Sequence, residues 1–316
     1  RIDYDYISKS LRIGCQLYLY TINMNESINN GRGILLQTLY IFGNGFDIAH
    51  GIRTPYAAFR EFLKENHESF LTTFESMYNI QPLDDTEPWY TKEAQERWDK
   101  SVINDLWWSF EEKIGHPDVE GMYDSAYSMV DTMPMEGIID TMNVYWREQY
   151  GFVDKLQKYV LEWLQTIDTS QAMCKKDSLI NNRNDLFMSF NYTDTLEKVY
   201  GIKDVLHLHG GIPSCCEIAP IMGHGNKYII DLYRRKAKEA QEEYVEWYES
   251  ICNAIADFCE SLYKDTDAII SENDDFFSAL RDVNQVVCLG LSFGDVDVPY
   301  LDRIEYEVRP ETKWLV

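Results

Sequence analysis

Five short apolar runs constrain the fold more than any other feature of this chain. They lie at residues 38–42, 186–190, 205–208, 286–289 and 313–316. Short apolar runs bounded by glycine are typical of buried parallel strands, and long helical patterns separate these five. Strands that alternate with helices predict an α/β protein, with a Rossmann-like open parallel sheet that carries helices on both faces.

The spacing of the runs also predicts how the chain is organised. Residues 1–37 lack periodicity and are interpreted as an N-terminal extension, followed by a single α/β domain over residues 38–316. Residues 56–180 are mostly helical in pattern, which predicts a large helical insertion between the first two strands. In residues 227–264 apolar side chains recur three and four apart. One helix of that length would be roughly 55 Å long, so we expect either two packed helices or one projecting helix that mediates homo-oligomerisation.

The charge balance excludes whole classes of partner. The chain has 29 Lys and Arg against 53 Asp and Glu, a net charge of −24. Such a surface repels nucleic-acid backbones and anionic membranes, although a local pocket of backbone N–H groups can still hold a small anion.

The cysteine pattern and the apolar runs bear on the compartment. Seven cysteines without a C-x-x-C pair predict reduced thiols and no zinc ribbon. No apolar run approaches the roughly 20 residues of a membrane span, so we expect a cytoplasmic protein. Because the chain begins at Arg1 rather than Met, and ends just after a strand-like run, we expect that it is truncated.

The first chemical motif directly follows the first strand and reads Gly43-Asn44-Gly45-Phe46-Asp47. Glycines here let the chain turn sharply and let a phosphate approach backbone N–H groups at a helix start. The dinucleotide fingerprint requires a further glycine where Ile48 stands. The motif is therefore either a phosphate-binding turn or an ordinary strand-to-helix turn.

The second motif ends the second strand and centres on Asn191, with Ser189 and Thr193 beside it. Ligands of open parallel sheets bind at the carboxyl ends of the strands, and an amide can donate and accept at once. Asn191 therefore suits a sugar hydroxyl or a water. The alternative is an asparagine that caps the following helix.

The third motif contains His207 and His209, followed by two glycines from Gly210. We expect His209 to lie at the rim of the sheet, within reach of solvent, as a general base near neutral pH. The pair could also form half of a metal site with His224, but no third ligand is placed by spacing, so no metal is predicted. A structural role is the default for His207.

The fourth motif follows the strand at 286–289 and contains Gly290, Ser292 and Asp297. A glycine and a hydroxyl at a strand end can hold phosphate or ribose. With Gly294 the string also matches the Gly-x-Ser-x-Gly nucleophile elbow of serine hydrolases. Those enzymes place the triad histidine after the serine, and no histidine follows Ser292.

Taken together, the motifs resemble the bacterial abortive-infection AbiH family over about residues 38–316. The string Gly43-Asn44-Gly45-Phe46-Asp47-Ile48-Ala49-His50-Gly51 is its most specific part. The same order of motifs is similar to a distant sirtuin-like NAD-binding domain. The resemblance places Ser189, Asn191 and Thr193 on its T-x-N-x-D string, and His209-Gly210 on its catalytic H-G string.

The resemblance implies an anti-phage protein that binds NAD and hydrolyses it to nicotinamide and ADP-ribose. Asp47 stands where sirtuins have Ser, Thr193 stands where they have Asp, and the zinc-binding cysteine pairs are absent, so lysine deacylation is not expected. Asn191 and His209 are implied as catalytic residues. Asp47 departs from the sirtuin pattern, and we expect it to be a third catalytic residue that stabilises the developing positive charge, as carboxylates do in glycosidases. The implied nucleotide-binding residues are Gly43, Asn44, Gly45, Phe46, Ser189, Thr193, Gly290, Ser292 and Asp297. The alternatives are a non-catalytic sensor of NAD or ADP-ribose and a scaffold that signals through its helices, and a phage component is a conceivable trigger.

Overall fold

The structure, a computed structural model, describes residues 37–78, 80, 91–132, 138–172 and 184–316. The predicted N-terminal extension lies outside these residues, apart from its last residue, which begins the first strand. Internal contacts divide the chain into two compact units. The first unit consists of the described residues up to Pro55 and those of Leu161–Ile221 and Thr266–Val316. The second unit consists of those of Tyr56–Val160 and Met222–Asp265.

A five-stranded sheet forms the centre of the first unit. Its strands are β1 (Gln37–Phe42), β2 (Leu186–Ser189), β3 (Val205–His207), β4 (Val283–Leu289) and β5 (Lys313–Leu315). The spatial order is β3-β2-β1-β4-β5, and each neighbouring pair is parallel. The prediction of an α/β protein with an open parallel sheet is therefore confirmed.

Helices occupy most of the remaining described chain. They are α1 (Asn44–Ala49), α2 (Tyr56–Asn66), α3 (Glu68–Ser76), α4 (Lys92–Val102), α5 (Phe110–Lys113), α6 (Val119–Thr132), α7 (Ile138–Tyr150), α8 (Leu156–Gln165), α9 (Thr195–Tyr200), α10 (Lys227–Glu242), α11 (Glu246–Ser261), α12 (Thr266–Glu272), α13 (Asp274–Ser278) and α14 (Val298–Glu307). A π-helical turn (Ile103–Trp107) and 3₁₀ turns (Gly151–Lys155, Thr169–Gln171, Ala279–Asp282) complete them. None of these helices has the length and apolar character needed to span a membrane.

Alternation along β1 divides the core of the first unit between the two faces of the sheet. Leu39 and Ile41 point to one face and pack into a cluster with side chains of α12, α13 and α14. Tyr40 and Phe42 point to the other face, where Phe46 of α1 and side chains of α9 cover them. Helices thus lie on both faces of the sheet, and both faces of β1 are apolar because both are buried.

The second unit is helical and aromatic. The pattern over residues 227–264 folds as two helices, α10 and α11, and Tyr244 at their junction has a φ of 59°. In the core Trp107 stacks on Phe110, with ring centroids 4.5 Å apart. A buried ion pair joins Lys264 Nζ to Glu111 Oε2 at 3.0 Å.

Candidate functional site

The strand order defines where a ligand is expected. The chain runs from β1 to β2 and β3 on one side of the sheet, and β4 and β5 lie on the other side. The central strands β1 and β4 are therefore neighbours at the point where the order reverses, which is where open α/β sheets bind their ligands. The residues after these strands are the first and fourth predicted motifs.

Three predicted glycines meet at this point and hold two backbone segments together. The N–H of Gly43 donates to Leu289 O at 3.0 Å, and that of Gly45 donates to Gly290 O at 2.9 Å. A Cβ on Gly43 would lie 2.6 Å from Gly290 O, and one on Gly290 would lie 2.2 Å from Phe46 N. Close packing of two loops thus requires glycine here, and the Gly45 N–H already has a protein acceptor. A role in holding diphosphate stays a prediction.

The other predicted nucleotide-binding residues of these two loops lie in different surroundings. Asn44 Nδ2 donates to Thr54 O at 3.1 Å, so its side chain ties the turn before α1 to the segment after it. Phe46 packs in the core against Phe42. Ser292 is exposed in the loop after β4, and Asp297 occupies the N-cap position of α14.

Asn191 links the ends of β2 and β1. Its Nδ2 donates to Gly43 O at 3.0 Å, and its backbone N–H donates to Ser189 Oγ at 3.1 Å. The side chain is used across the sheet edge rather than as a cap of α9. The second motif and the first glycine therefore lie together at the carboxyl edge, in the place expected from the order of motifs.

Asp47 is a fully buried carboxyl group beside the second motif. Its Oδ2 accepts from Thr193 Oγ1 at 2.5 Å, and Thr193 Oγ1 lies 3.1 Å from Thr195 Oγ1. Its Oδ1 is buried without a hydrogen-bond partner in the described structure. Burial raises the pKa of Asp47 to about 6, although the two threonine hydroxyls lower it. A carboxyl with such a pKa changes charge close to neutral pH.

The prediction that His209 lies at a reachable rim is wrong. The side chain is buried, its Nε2 is hydrogen-bonded to Tyr300 OH at 3.2 Å, and its ring packs edge-on against Phe190. The strand ends at His207, so His209 lies in a turn that the following chain covers. Ile221 N–H donates to His209 O at 2.8 Å as that chain folds back over the turn.

Asp194 is a second buried carboxylate close to the second motif, and no role is predicted for it from the sequence. Its carboxylate is buried and accepts from Thr169 Oγ1 at 2.5 Å, from Lys198 Nζ at 2.8 Å and from Ser214 Oγ. Burial alone would raise the pKa of Asp194, but these three donors outweigh it and lower the pKa. The one signal for Asp194 in the sequence is its place next to Thr193, which stands where the sirtuin pattern has an acidic residue.

The described residues contain no group of three or more His, Cys, Asp or Glu side chains arranged to hold a metal ion. His224, the conceivable third ligand, is buried in the second unit. Its Nε2 lies 2.9 Å from Cys259 O, and its Nδ1 accepts from Asn226 N at 3.0 Å. Burial lowers the pKa of His224 to about 4, so the ring is neutral. Its bonds give this histidine a structural role.

The fold and this edge define a parallel α/β protein whose first, second and fourth motifs lie together at the carboxyl edge of its sheet. The family described as "Bacteriophage abortive infection AbiH" matches residues 39–316. The chain therefore belongs to the AbiH family, and its family function is anti-phage abortive infection. No curated protein and no solved structure gives a significant match to it.

Proposed function

We propose that this AbiH-family protein acts in abortive infection by binding NAD at the carboxyl edge of its sheet and hydrolysing it to nicotinamide and ADP-ribose. The observation that carries the proposal is the buried carboxyl of Asp47, which has one oxygen without a hydrogen-bond partner. It lies near the switch point between β1 and β4, where the strand order reverses. A carboxylate with a free oxygen suits the positive charge that develops on the ribose when the glycosidic bond breaks.

The reaction makes modest demands on the protein. The bond between ribose C1′ and the pyridinium nitrogen breaks, and nicotinamide leaves as a neutral molecule that needs no proton. Water adds to C1′ and loses one proton. In this proposal Asp47 stabilises the cationic sugar, Asn191 positions the ribose or the water, and His209 takes the proton.

The remaining motif residues have supporting roles in the proposal. Thr193 orients Asp47 through its hydroxyl, at 2.5 Å. The loops that contain Gly43, Gly45, Gly290 and Ser292 hold the diphosphate and adenosine part of NAD. Because the N–H groups of Gly43 and Gly45 already donate to Leu289 O and Gly290 O, the diphosphate has to rely on other donors of these loops.

Burial of the proposed catalytic groups means that the site has to open. Asp47 is 0% exposed, Asn191 8% and His209 3%. Ile212 N–H donates to Tyr192 O at 2.9 Å, so the segment after β3 lies on the second motif. Movement of this segment, induced by a phage-derived trigger, would admit the substrate.

The same burial favours a second candidate function, a sensor that binds NAD or ADP-ribose without cleaving it. In a sensor these side chains hold the sheet edge together, and a bound nucleotide changes how the segment after β3 lies on it. Binding without release of nicotinamide would distinguish the sensor from the hydrolase.

The test is to incubate the purified protein with NAD and to separate nicotinamide and ADP-ribose by chromatography. The variants are Asp47→Asn, Asn191→Ala and His209→Gln, with Glu305→Gln on the exposed face of α14 as control. We expect product from the wild type and the control, and none from the three variants, each with an unchanged circular-dichroism spectrum. Full activity in folded Asp47→Asn and Asn191→Ala would refute the assignment.

A further inference from the structure

Two aromatic side chains reach the surface where α6 packs against α11 in the second unit. The ring centroids of Tyr127 on α6 and Trp247 on α11 lie 4.9 Å apart. One turn earlier on α6, Tyr123 stacks on Tyr248 of α11, with centroids 5.7 Å apart, which joins the two helices side by side. Tyr127 is 55% exposed and Trp247 is half-buried. Tyr127 and Trp247, called the aromatic pair below, therefore leave ring surface in contact with solvent.

The two helices that carry the aromatic pair contain carboxylates and no Lys or Arg. Asp124 and Asp131 lie three residues before and four residues after Tyr127, on the same face of α6, and both are exposed. Glu246 is also exposed and adjoins Trp247. Within the described residues none of these three carboxylates forms an ion pair. Negative charge thus surrounds the exposed rings without a cation of the protein to balance it.

The cations of the neighbouring helix α10 are engaged elsewhere in the second unit. Arg234 lies 2.6 Å from Asp257 Oδ1 and 2.5 Å from Glu260 Oε2, at the other end of α11. Lys236 Nζ lies 4.8 Å from the centroid of the Tyr233 ring. Carboxylates and aromatic rings of this unit therefore take a cation where the chain supplies one. Around the aromatic pair the cation has to come from another molecule.

A guanidinium group fits both features of this surface. It stacks on aromatic faces, and its planar set of N–H groups pairs with carboxylates. Tyrosine, tryptophan and arginine are also the residues that contribute most to protein–protein binding energy. A second copy of this chain is the less favourable occupant, because each copy carries a net charge of −24 and the copies repel each other. The same charge acts against nucleic acids and anionic membranes.

We propose that the aromatic pair and its flanking carboxylates form a docking surface for an arginine-bearing segment of a protein partner. Tyr127 and Trp247 receive the plane of a guanidinium group, and Asp124, Asp131 and Glu246 pair with its N–H groups or with those of the next basic side chain. The proposal is independent of NAD cleavage, since the surface belongs to the second unit and the sheet edge to the first. Its test measures binding in the absence of NAD.

The experiment uses a fluorescein-labelled peptide that has four arginines separated by Gly-Ser spacers. Binding is followed by fluorescence anisotropy in about 150 mM NaCl, which screens long-range attraction. We expect Tyr127→Ser to weaken binding about fivefold, and Asp124→Asn/Asp131→Asn to weaken it about tenfold. The same peptide with lysines in place of arginines should bind the wild type more weakly, because an ammonium group lacks the plane that stacks on a ring.

Helix α14 supplies matched controls. Tyr306 is exposed on this helix, and the exposed carboxylates of Asp302 and Glu305 lie beside it in the sequence. Tyr306→Ser and Asp302→Asn/Glu305→Gln remove the same chemical groups and the same charge as the α6 variants, and both should leave the affinity unchanged. If they weaken binding as much as the α6 variants do, the overall charge alone attracts the peptide and the proposal is overturned. Failure of the wild type to bind the arginine peptide would overturn it as well.

Sedimentation velocity of the wild type and of Tyr127→Ser, at equal concentration, tests the competing occupant. We expect equal sedimentation coefficients, since the proposed partner is absent from both samples. A wild type that sediments faster, and that Tyr127→Ser converts to the slower form, would show that a second copy of the chain occupies this surface. That result would refute docking of an arginine-bearing partner.

Discussion

At the scale of single residues, Asp47 is predicted to lower the stability of the protein at neutral pH. Its pKa is about 6 in the folded protein against 3.8 for an ordinary aspartate, so the folded state holds the proton more tightly than the unfolded state. The contribution of Asp47 to stability is therefore fully present below about pH 4 and is lost as pH rises through about 6, by up to about 3 kcal/mol. Asp47→Asn should be more stable than the wild type at pH 7, with a difference that shrinks toward pH 4.

Urea unfolding at pH 4.5 and pH 7 checks this prediction, with Glu305→Gln as the exposed control. A variant that is less stable than the wild type at pH 7 would show that the carboxylate is stabilising in the folded protein. Greater stability together with lost NAD cleavage would be the trade-off expected of a strained functional group.

The sequence predicted some side-chain positions and not others. Asn191 was placed at the sheet edge because a strand end fixes its position. His209 was misplaced because exposure after a strand depends on the later chain that folds over it, which local patterns do not encode. Asp194 was overlooked because its three donors come from segments up to 25 residues away.

At the scale of elements, the contact between the loop after β4 and the turn before α1 predicts a strong effect of Gly290→Ala. Gly290 has a φ of 70°, and an added Cβ would lie 2.2 Å from Phe46 N. Gly201 has the same φ of 70° with nothing within 4 Å. We expect Gly201→Ala to cost about 1 kcal/mol, from backbone strain alone, and Gly290→Ala to cost at least about 3 kcal/mol, because backbone atoms have to move. If urea unfolding gave the two variants a similar loss of unfolding free energy, the backbone around Gly290 would be shown to adjust to the added Cβ at little cost.

The buried pair of the second unit carries another prediction at this scale. Lys264 Nζ binds Glu111 Oε2 at 3.0 Å, and Tyr56 OH donates to Glu111 Oε1 at 2.9 Å, so the pair ties α5 to the chain after α11. Lys264→Met should cost about 3–5 kcal/mol, because it removes the charge that Lys264 places beside a largely buried carboxylate. The double variant Lys264→Met/Glu111→Gln should recover part of that loss. A double variant as unstable as the single one would contradict this explanation.

Elements were predicted more reliably than their contacts. All five strands lie within the apolar runs or within three residues of their ends. For β1 and β2 the reason is burial on both faces, which demands continuous apolar sequence. The break between α10 and α11 has no proline or glycine to mark it, since Tyr244 adopts the positive φ there. The packing of Gly43 and Gly45 against Gly290 depends on strand order, and strand order cannot be read from local pattern.

At the scale of the whole molecule, the net charge of −24 predicts that abortive infection by this protein does not proceed through general nucleic-acid binding. A duplex carries one negative charge per about 1.7 Å of its axis, so the average field of the protein opposes approach. Fluorescence anisotropy with labelled duplex DNA and single-stranded RNA, at low and physiological salt, checks this prediction. We expect no binding at either salt concentration. Binding that weakens steeply as salt rises would contradict the prediction. It would reveal a local cluster of Lys and Arg strong enough to overcome the overall charge, and would favour a function at that surface over one at the sheet edge.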